Sequence, residues 1–218
     1  MYFASRVQAG RMLASQLMPK YRYENCAVVA LNDGGVMVGA QIAQQLHCVL
    51  MLLLSAEINL PREPNAIAGI TASGEFAYNQ QYTPSEIEDL AGEYHNLVEQ
   101  EKLVQMHDLN RLLGSGGTIT KQLLKGHNVI LVADGLKSGF TLDLVYQFLK
   151  PIAIEKLIIA MPLASVQAVD SMHALADDLY CLDVIEEYAE AEHYYDKHDV
   201  PDHAEIIEII EQIVLLWK

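Results

Sequence analysis

The segment from Val129 to Thr141, VILVADGLKSGFT, constrains the fold more than any other part of the chain. Four apolar residues with high strand propensity run directly into an acid, Asp134, and a loop rich in small residues follows. An amphipathic helix is expected to begin at about Leu142. A strand, a glycine-containing loop and a helix N-terminus in this order are typical of an anion site, because loop N–H groups and the helix dipole both favour negative charge.

Several residues of this loop are suited to binding a phosphate. The small residues let backbone N–H groups approach the anion, Ser138 and Thr141 add hydroxyl donors, and Lys137 adds positive charge. Asp134, at the strand tip, could accept hydrogen bonds from sugar hydroxyls. The same segment is equally compatible with an ordinary strand-to-helix turn that uses glycine to bend. The candidate binding residues are Gly135, Leu136, Lys137, Ser138, Gly139 and Thr141.

The rest of the chain predicts an α/β fold in which strands and helices alternate. Such alternation favours a mainly parallel sheet whose buried strands are continuous apolar runs. The predicted strands are 26–31, 48–54, 128–132, 156–162 and 178–184, and the predicted helices among them and at the ends are 2–18, 36–46, 142–149, 165–175 and 204–217.

One stretch interrupts this alternation and predicts a separate flap or hood at about 55–117 within a single domain of residues 1–218. Residues 55–84 are rich in Pro, Gly, Asn and Ala and contain two short extended pieces, 66–71 and 75–79. A long helix over 85–113 is expected to begin at a capping box formed by Ser85 and Glu88, and the glycine-rich run that follows is interpreted as a hinge.

Composition excludes several classes of partner. The formal net charge of −15 argues against binding to nucleic acid or to an anionic membrane surface. Apolar runs stay below the roughly 18 residues that a membrane span needs. The three cysteines, Cys26, Cys48 and Cys181, are odd in number and widely spaced, so they form neither a metal pattern nor a disulfide framework. These features indicate a cytoplasmic protein.

In order and spacing, the chain resembles type I phosphoribosyltransferases over nearly its whole length. The segment Val129–Thr141 resembles their loop for phosphoribosyl pyrophosphate, and the run from Val28 to Gly39 resembles their first strand and pyrophosphate loop. The N-terminal residues FASR with Ala9-Gly10 resemble the first helix of a bacterial group of these proteins, and shorter matches cover 61–69 and 160–163. The resemblance implies a Rossmann-like parallel-sheet fold with a small hood.

The resemblance also implies a function and a role for each loop. The loop 135–141 would hold the 5′-phosphate of phosphoribosyl pyrophosphate, and Asp134 would hold the ribose and stabilise an oxocarbenium-like transition state. Phosphoribose would pass to a nitrogenous acceptor with Mg²⁺ as cofactor, and a homodimer is plausible. The pyrophosphate loop would consist of Asn32, Asp33, Gly34 and Gly35.

Two positions depart from the family pattern. Ala133 stands where the family has the first of two adjacent acids, which removes hydrogen bonds worth about 1.5–3 kcal/mol. Asp33 stands where the family commonly has Arg, so an anion would face pyrophosphate with a repulsion of roughly 3 kcal/mol. A Mg²⁺ ion bridging Asp33 and pyrophosphate would reverse that sign. The alternative function is a non-catalytic binder or sensor of a nucleoside monophosphate or another phosphorylated ligand.

A histidine-rich stretch near the C-terminus has two interpretations. His193, His198 and His203 recur every five residues among acids and could form a metal cluster. Five-residue spacing does not hold one helical face, however, and Pro201 interrupts the stretch, so a solvated acidic loop is the preferred interpretation. The resemblance places the nearby tyrosines, Tyr188, Tyr194 and Tyr195, on the acceptor side, where one could stack on an acceptor.

Overall fold

The computed structural model describes residues 2–113, 119 and 121–213, and the chain divides into two compact units. The first unit comprises Met1–Leu53, Gly116–Gly139 and Ile152–Lys218, and the second comprises Leu54–Ser115 and Phe140–Pro151. The strands are β1 Cys26–Ala30, β2 Val49–Leu52, β3 Ser55–Ile58, β4 Ala68–Thr71, β5 Phe76–Tyr78, β6 Asn128–Val132, β7 Lys156–Ser165 and β8 Asp178–Ile185. The helices are α1 Arg6–Tyr21, α2 Asp33–Leu46, α3 Pro84–Glu93, α4 His95–Leu113, α5 Lys121–Leu124, α6 Phe140–Leu149, α7 Val166–Leu175 and α8 His203–Gln212.

The first unit is built on a parallel sheet with strand order β2-β1-β6-β7-β8. Every residue of β1 and β6 is buried, as expected for central strands of a sheet covered by helices. Helices α1 and α2 pack against each other and against strands of this sheet, and α7 packs against β7 and β8. The five strands confirm the predicted parallel sheet, and each one overlaps the segment expected for it.

The second unit contains a small antiparallel sheet of order β3-β4-β5. Helix α4 packs against β3 and β4, and α6 packs against β4 and β5. Strands β4 and β5 lie within the extended pieces expected at 66–71 and 75–79, whereas β3 was missed because its sequence, SAEI, is half polar.

The predicted start of the long helix at Ser85 is wrong. The N-cap is Thr83, whose hydroxyl accepts a hydrogen bond from the Glu86 N–H at 3.3 Å, while the Glu86 carboxylate accepts one from the Thr83 N–H at 2.7 Å. Pro84 follows at the first helical position, where its missing N–H costs nothing. The helix is also interrupted at Tyr94, so that α3 and α4 are separate elements.

Two further expectations concern residues that the structure does not describe. The glycine-rich hinge at 114–117 lies outside the described residues, as do the last residues of the helix expected over 204–217. Within the described part of the chain, no helix is long and apolar enough to span a membrane.

Candidate functional site

The two candidate ligand loops leave the sheet side by side because β1 and β6 are parallel neighbours. Ala30 pairs with Val132 at the carboxyl ends of these strands, and the Leu31 N–H donates to the Val132 carbonyl at 2.9 Å. Carboxyl ends of adjacent parallel strands are the usual place for a ligand in such sheets. The register therefore brings the loop beginning at Asn32 next to the loop beginning at Ala133.

Asn32 joins the two loops through its side chain. Its Oδ1 accepts a hydrogen bond from the Gly35 N–H at 2.6 Å and so caps the N-terminus of α2. Its Nδ2 donates to Asp134 Oδ1 at 2.9 Å. Asparagine suits this position because one amide can both accept and donate.

Arg6, the first residue of α1, is buried at the centre of an ion cluster. Its side chain is 2% exposed, and its Nε–H donates to Asp134 Oδ2 at 2.8 Å. The terminal nitrogens contact Glu192 and, at 3.3 Å, Asp199, and the guanidinium carbon lies 4.5 Å from the centre of the Tyr195 ring. Burial lowers the pKa of Arg6, but bonds and attraction to Asp134 and Glu192 outweigh it and raise the pKa above its ordinary value.

The carboxylate of Asp134, the predicted ribose ligand, is therefore fixed in orientation by its neighbours. It is 5% exposed, with one oxygen bound to Asn32 and the other to Arg6. Its backbone carbonyl accepts a hydrogen bond from the Tyr195 hydroxyl. Ala133, in the position of the missing second acid, is 2% exposed, and its N–H lies 3.2 Å from the Met161 sulfur.

Gly34 is required for the packing between the two loops. A Cβ atom at this position would lie 2.1 Å from Asp134 Oδ2 and 2.9 Å from Arg6 Nε, which is far closer than van der Waals contact. The glycine pair in the predicted pyrophosphate loop thus lets the N-terminus of α2 approach the Asp134–Arg6 ion pair.

The predicted phosphate loop is anchored on β7 through Leu136 and the Lys137 carbonyl. The Leu136 N–H donates to the Leu163 carbonyl at 3.0 Å, and the Leu136 carbonyl accepts from the Ser165 N–H at 2.9 Å. The Ser165 hydroxyl also donates to the Lys137 carbonyl at 2.7 Å. Leu136 is consequently buried, which fixes the loop without using the N–H groups that follow it.

Those following N–H groups are the donors that a phosphate would need. Within the described residues of the first unit, the N–H groups of Lys137, Ser138 and Gly139 have no hydrogen-bond acceptor. Gly139 is buried and Lys137 is exposed. Thr141 belongs to the second unit, as the second residue of α6. A fixed loop that presents unengaged donors is suited to binding an anion.

Asp33, in the predicted pyrophosphate loop, is paired with a histidine. It is the first residue of α2, and its two carboxylate oxygens lie 3.0 and 3.1 Å from Nδ1 of His203, the first residue of α8. Among the described residues, no group of three or more His, Cys, Asp or Glu side chains is arranged to hold a metal ion. Asp33, the tentative Mg²⁺ ligand, would therefore act as a lone carboxylate.

Most residues of the stretch 190–203 are exposed or half-buried, as expected for a solvated acidic loop, but two of its acids bind the buried Arg6. Glu192 binds Arg6 and His198, and hydrogen bonds from His198 and Arg6 lower the pKa of Glu192. Asp199 also binds Arg6, whereas His193 is exposed and contacts Tyr2. The sequence did not predict these contacts, because the cation that the loop binds lies in α1. The only sequence signal was Arg6 itself, within the FASR motif.

A cavity of about 440 Å³ lies beside the predicted phosphate loop in the first unit. Burial, followed by the negative charge of Asp134, raises the pKa of Tyr188, so this phenol stays protonated at neutral pH. The lining combines one cation, two carboxylates and neutral hydrogen-bonding groups, and it consists of Lys137, Ser165, Val166, Gln167, Asp170, Glu186 and Tyr188.

Comparisons with known proteins identify the family. The model of the phosphoribosyl transferase domain matches residues 3–196. Two curated Mycobacterium tuberculosis proteins, each named "Putative phosphoribosyl transferase" (Rv0571c of strain H37Rv and MT0597 of strain CDC 1551), are 25% identical over 181 residues, which is 83% of this chain and 40% of theirs. This chain thus spans about two fifths of the length of these relatives.

A solved structure supports the same fold. The crystal structure of TT1426 from Thermus thermophilus is similar over 100% of this chain and 99% of that chain, with a TM-score of 0.71 and 24% identity. The predicted α/β fold with a parallel sheet of the phosphoribosyltransferase type is confirmed. Because the family model covers most of the sequence, the chain belongs to the phosphoribosyl transferase domain family, as the resemblance of its loops indicated.

Proposed function

We propose that the protein transfers phosphoribose from phosphoribosyl pyrophosphate to a nitrogenous acceptor, with the loop 135–141 holding the 5′-phosphate. The observation that carries this proposal is the set of unengaged N–H groups at Lys137, Ser138 and Gly139 in a loop fixed through Leu136.

In this proposal Asp134 acts on the ribose. Its carboxylate is oriented by Arg6 and Asn32, and each of its oxygens retains lone-pair capacity for a ribose hydroxyl. As the bond to pyrophosphate breaks, positive charge develops on the ribose, and a pre-oriented carboxylate stabilises that charge without reorganisation. Pyrophosphate leaves toward the loop of Asn32, Asp33, Gly34 and Gly35.

Mg²⁺ is the cofactor that this chemistry requires. When bound, it would neutralise charge on the departing pyrophosphate. Such sites are commonly completed by substrate phosphates and one or two carboxylates, so Asp33 would suffice as a protein ligand. Because Asp33 already accepts a hydrogen bond from His203, we expect pyrophosphate oxygens to supply most of the coordination.

The remaining parts of the proposal concern the acceptor and the cellular setting. The cavity that Tyr188 lines is the proposed acceptor site, and its mixed polar lining suits a nitrogenous acceptor with several N–H groups. We expect the insertion at about 55–117 to act as the hood. A cytoplasmic location, no nucleic-acid or membrane partner, and a homodimer complete the proposal.

A second function is favoured by two features of the site. The negative charge of Asp134 is balanced by Arg6, and the side chain is almost wholly buried. The predicted pyrophosphate loop carries Asp33 in place of a cation. These features would weaken turnover more than they would weaken phosphate binding. The alternative is therefore a non-catalytic binder or sensor of a nucleoside monophosphate.

The two functions separate in an assay of pyrophosphate release. The purified protein is incubated with phosphoribosyl pyrophosphate, Mg²⁺ and a panel of purine, pyrimidine and amine acceptors, and a variant with Asp134→Asn serves as the matched control. Acceptor-dependent release that Asp134→Asn abolishes supports transfer. Monophosphate binding without release from any acceptor favours the sensor, and binding of neither ligand contradicts both functions.

A further inference from the structure

Another cavity of the first unit lies in the groove between helices α1 and α2. Its volume is about 350 Å³, which is within the usual range of small-molecule sites. Both helices begin at the predicted site, with Arg6 and with the cap Asn32, whereas the lining comes from their second turns onward. The lining residues are Arg11, Met18, Arg22, Gln41, Gln44 and Gln45.

Helical spacing places these side chains on two facing stripes. Arg11, Met18 and Arg22 are seven and then four residues apart, which keeps them on one face of α1. The three glutamines share one face of α2 in the same way, at positions 41, 44 and 45. The helices approach closely beside the groove because Gly10 has no side chain: a Cβ atom there would lie 2.5 Å from the Val38 carbonyl oxygen.

The groove is a cationic surface on a protein whose formal net charge is −15. Helix α1 contains no Asp or Glu and α2 contains only Asp33, although the chain has 29 such residues. The lining includes two guanidinium groups and no carboxylate. Neither Arg11 nor Arg22 forms an ion pair with an acid in the described part of the chain. Their uncompensated positive charge favours an anionic ligand.

Arg11 is held in position by the opposite helix. Its Nε–H donates to Gln41 Oε1 at 3.1 Å. Its terminal nitrogens have no acceptor among the described residues, so their N–H groups are available to a ligand. A guanidinium presents these groups in a rigid fork that matches the oxygens of a phosphate.

The other lining groups suit a nucleobase. Gln44 and Gln45 have amides that both donate and accept, and a glutamine amide can form two hydrogen bonds with the edge of adenine. Met18, between the two arginines on α1, offers a thioether, which contacts aromatic rings favourably. Groups suited to phosphate and groups suited to a base therefore line the same cavity.

We propose that the groove between α1 and α2 is a binding site for a nucleoside triphosphate, with Arg11 and Arg22 on the phosphates and the glutamine amides on the base. The two arginines are about 16 Å apart along α1, so a chain of several phosphates is needed to engage both. A nucleoside monophosphate engages only one of them and binds the groove weakly. This inference goes beyond the proposed function and does not depend on it.

Calorimetric titration with ATP tests the inference. The double variant Ser138→Ala, Thr141→Ala is the background, because the predicted phosphate loop that it weakens is also expected to bind nucleotides. We expect ATP binding in this background and at least tenfold weaker binding once Arg11→Gln and Arg22→Gln are added. AMP and inorganic triphosphate should each bind the background at least tenfold more weakly than ATP, because one lacks phosphates and the other lacks the base.

Arg62→Gln with Arg111→Gln, added to the same background, is the matched control. It removes the same charge from two exposed arginines of the second unit and should leave the ATP affinity within twofold. Thermal unfolding of each variant monitors folding.

Each contrary outcome refutes a stated part of the inference. Absence of ATP binding in the background, or equal losses for the two arginine pairs, would refute the groove as the site. Inorganic triphosphate that binds as tightly as ATP would refute the base contacts and with them the nucleotide. Failure of the wild type to bind phosphoribosyl pyrophosphate would instead contradict the proposed function and leave the groove standing.

Discussion

Arg6 and Asp134, 128 residues apart in sequence, form a buried ion pair in which Nε lies 2.8 Å from Oδ2. The pair connects the first helix of the chain to the strand tip where the ribose ligand is expected. Because Arg6 also binds Glu192 and Asp199, one guanidinium holds three segments of the first unit together. The stability of the site and the orientation of its carboxylate thus depend on the same residue.

Arg6→Gln tests the structural importance of this guanidinium. The substitution leaves Asp134 buried without its cation, and breaking a buried pair in this way typically costs about 3–5 kcal/mol. We expect a decrease of this size in the free energy of unfolding, measured by urea denaturation. Arg11→Gln, which removes an exposed arginine of the same helix, should change it by less than about 0.5 kcal/mol. A loss below about 1 kcal/mol for Arg6→Gln would contradict the account.

Glu192 predicts a dependence of stability on acid pH. His198 and Arg6 lower its pKa in the folded protein, so its contribution is complete above the unfolded value of about 4.3 and is lost as pH falls through the lower folded pKa. The side chain is 43% exposed, so screening should limit the effect to about 1 kcal/mol or less.

The measurement is urea denaturation at intervals between about pH 6 and pH 3. The wild-type protein should lose more stability over the acid part of this range than Glu192→Gln does. Glu208→Gln, on the exposed side of α8, should follow the wild-type curve. Identical slopes for the wild type and Glu192→Gln would show that the pairing contributes nothing.

Gly139→Ala should destabilise the predicted phosphate loop by a steric effect. The new Cβ would lie 1.9 Å from Ser171 Oγ and 2.4 Å from Ser171 Cβ, so α7 or the loop must move, at a cost of about 1–3 kcal/mol. Adding Ser171→Gly removes both atoms and should restore much of the loss. Gly92→Ala, with no atom within 4 Å of the new Cβ, should be neutral or stabilising. Equal effects at the two glycines in thermal unfolding would contradict this packing.

Thr83→Ala tests which residue caps α3. Loss of the capping hydroxyl should cost about 0.5–2 kcal/mol, because the Glu86 N–H loses its acceptor. Ser85→Ala, at the cap expected from the sequence, should have little effect. Urea denaturation followed by circular dichroism compares the two, and a larger loss for Ser85→Ala would show that Ser85 is the cap instead.

The parts of the fold that were predictable share a local signal. β1 and β6 are continuous apolar runs, and β6 was located at its observed bounds, Asn128–Val132, because strand and loop residues change abruptly at Asp134. The interrupted helix at Tyr94 and the cap at Thr83 were missed. Around both residues the sequence pattern is helical throughout, so it does not show where the helices begin and end. Local geometry determines those boundaries.

The parts of the site that were missed depend on distant partners. Arg6 pairs with Glu192, and Asp33 with His203, between segments far apart in the chain, and such polar contacts leave no periodic pattern in a sequence. The sequence of the acidic stretch therefore did not show that two of its acids bind a cation in α1. Asn32 was expected as a loop residue, but its link to Asp134 required the register of β1 against β6.

Calorimetric titration with a nucleoside monophosphate tests the central claim most directly, in the wild-type protein and in the double variant Ser138→Ala, Thr141→Ala. The account predicts binding by the wild type and at least a tenfold loss in the double variant, because two hydroxyl donors are removed from a loop whose N–H groups remain. Unchanged affinity in a folded double variant would contradict the assignment of the phosphate to the loop 135–141.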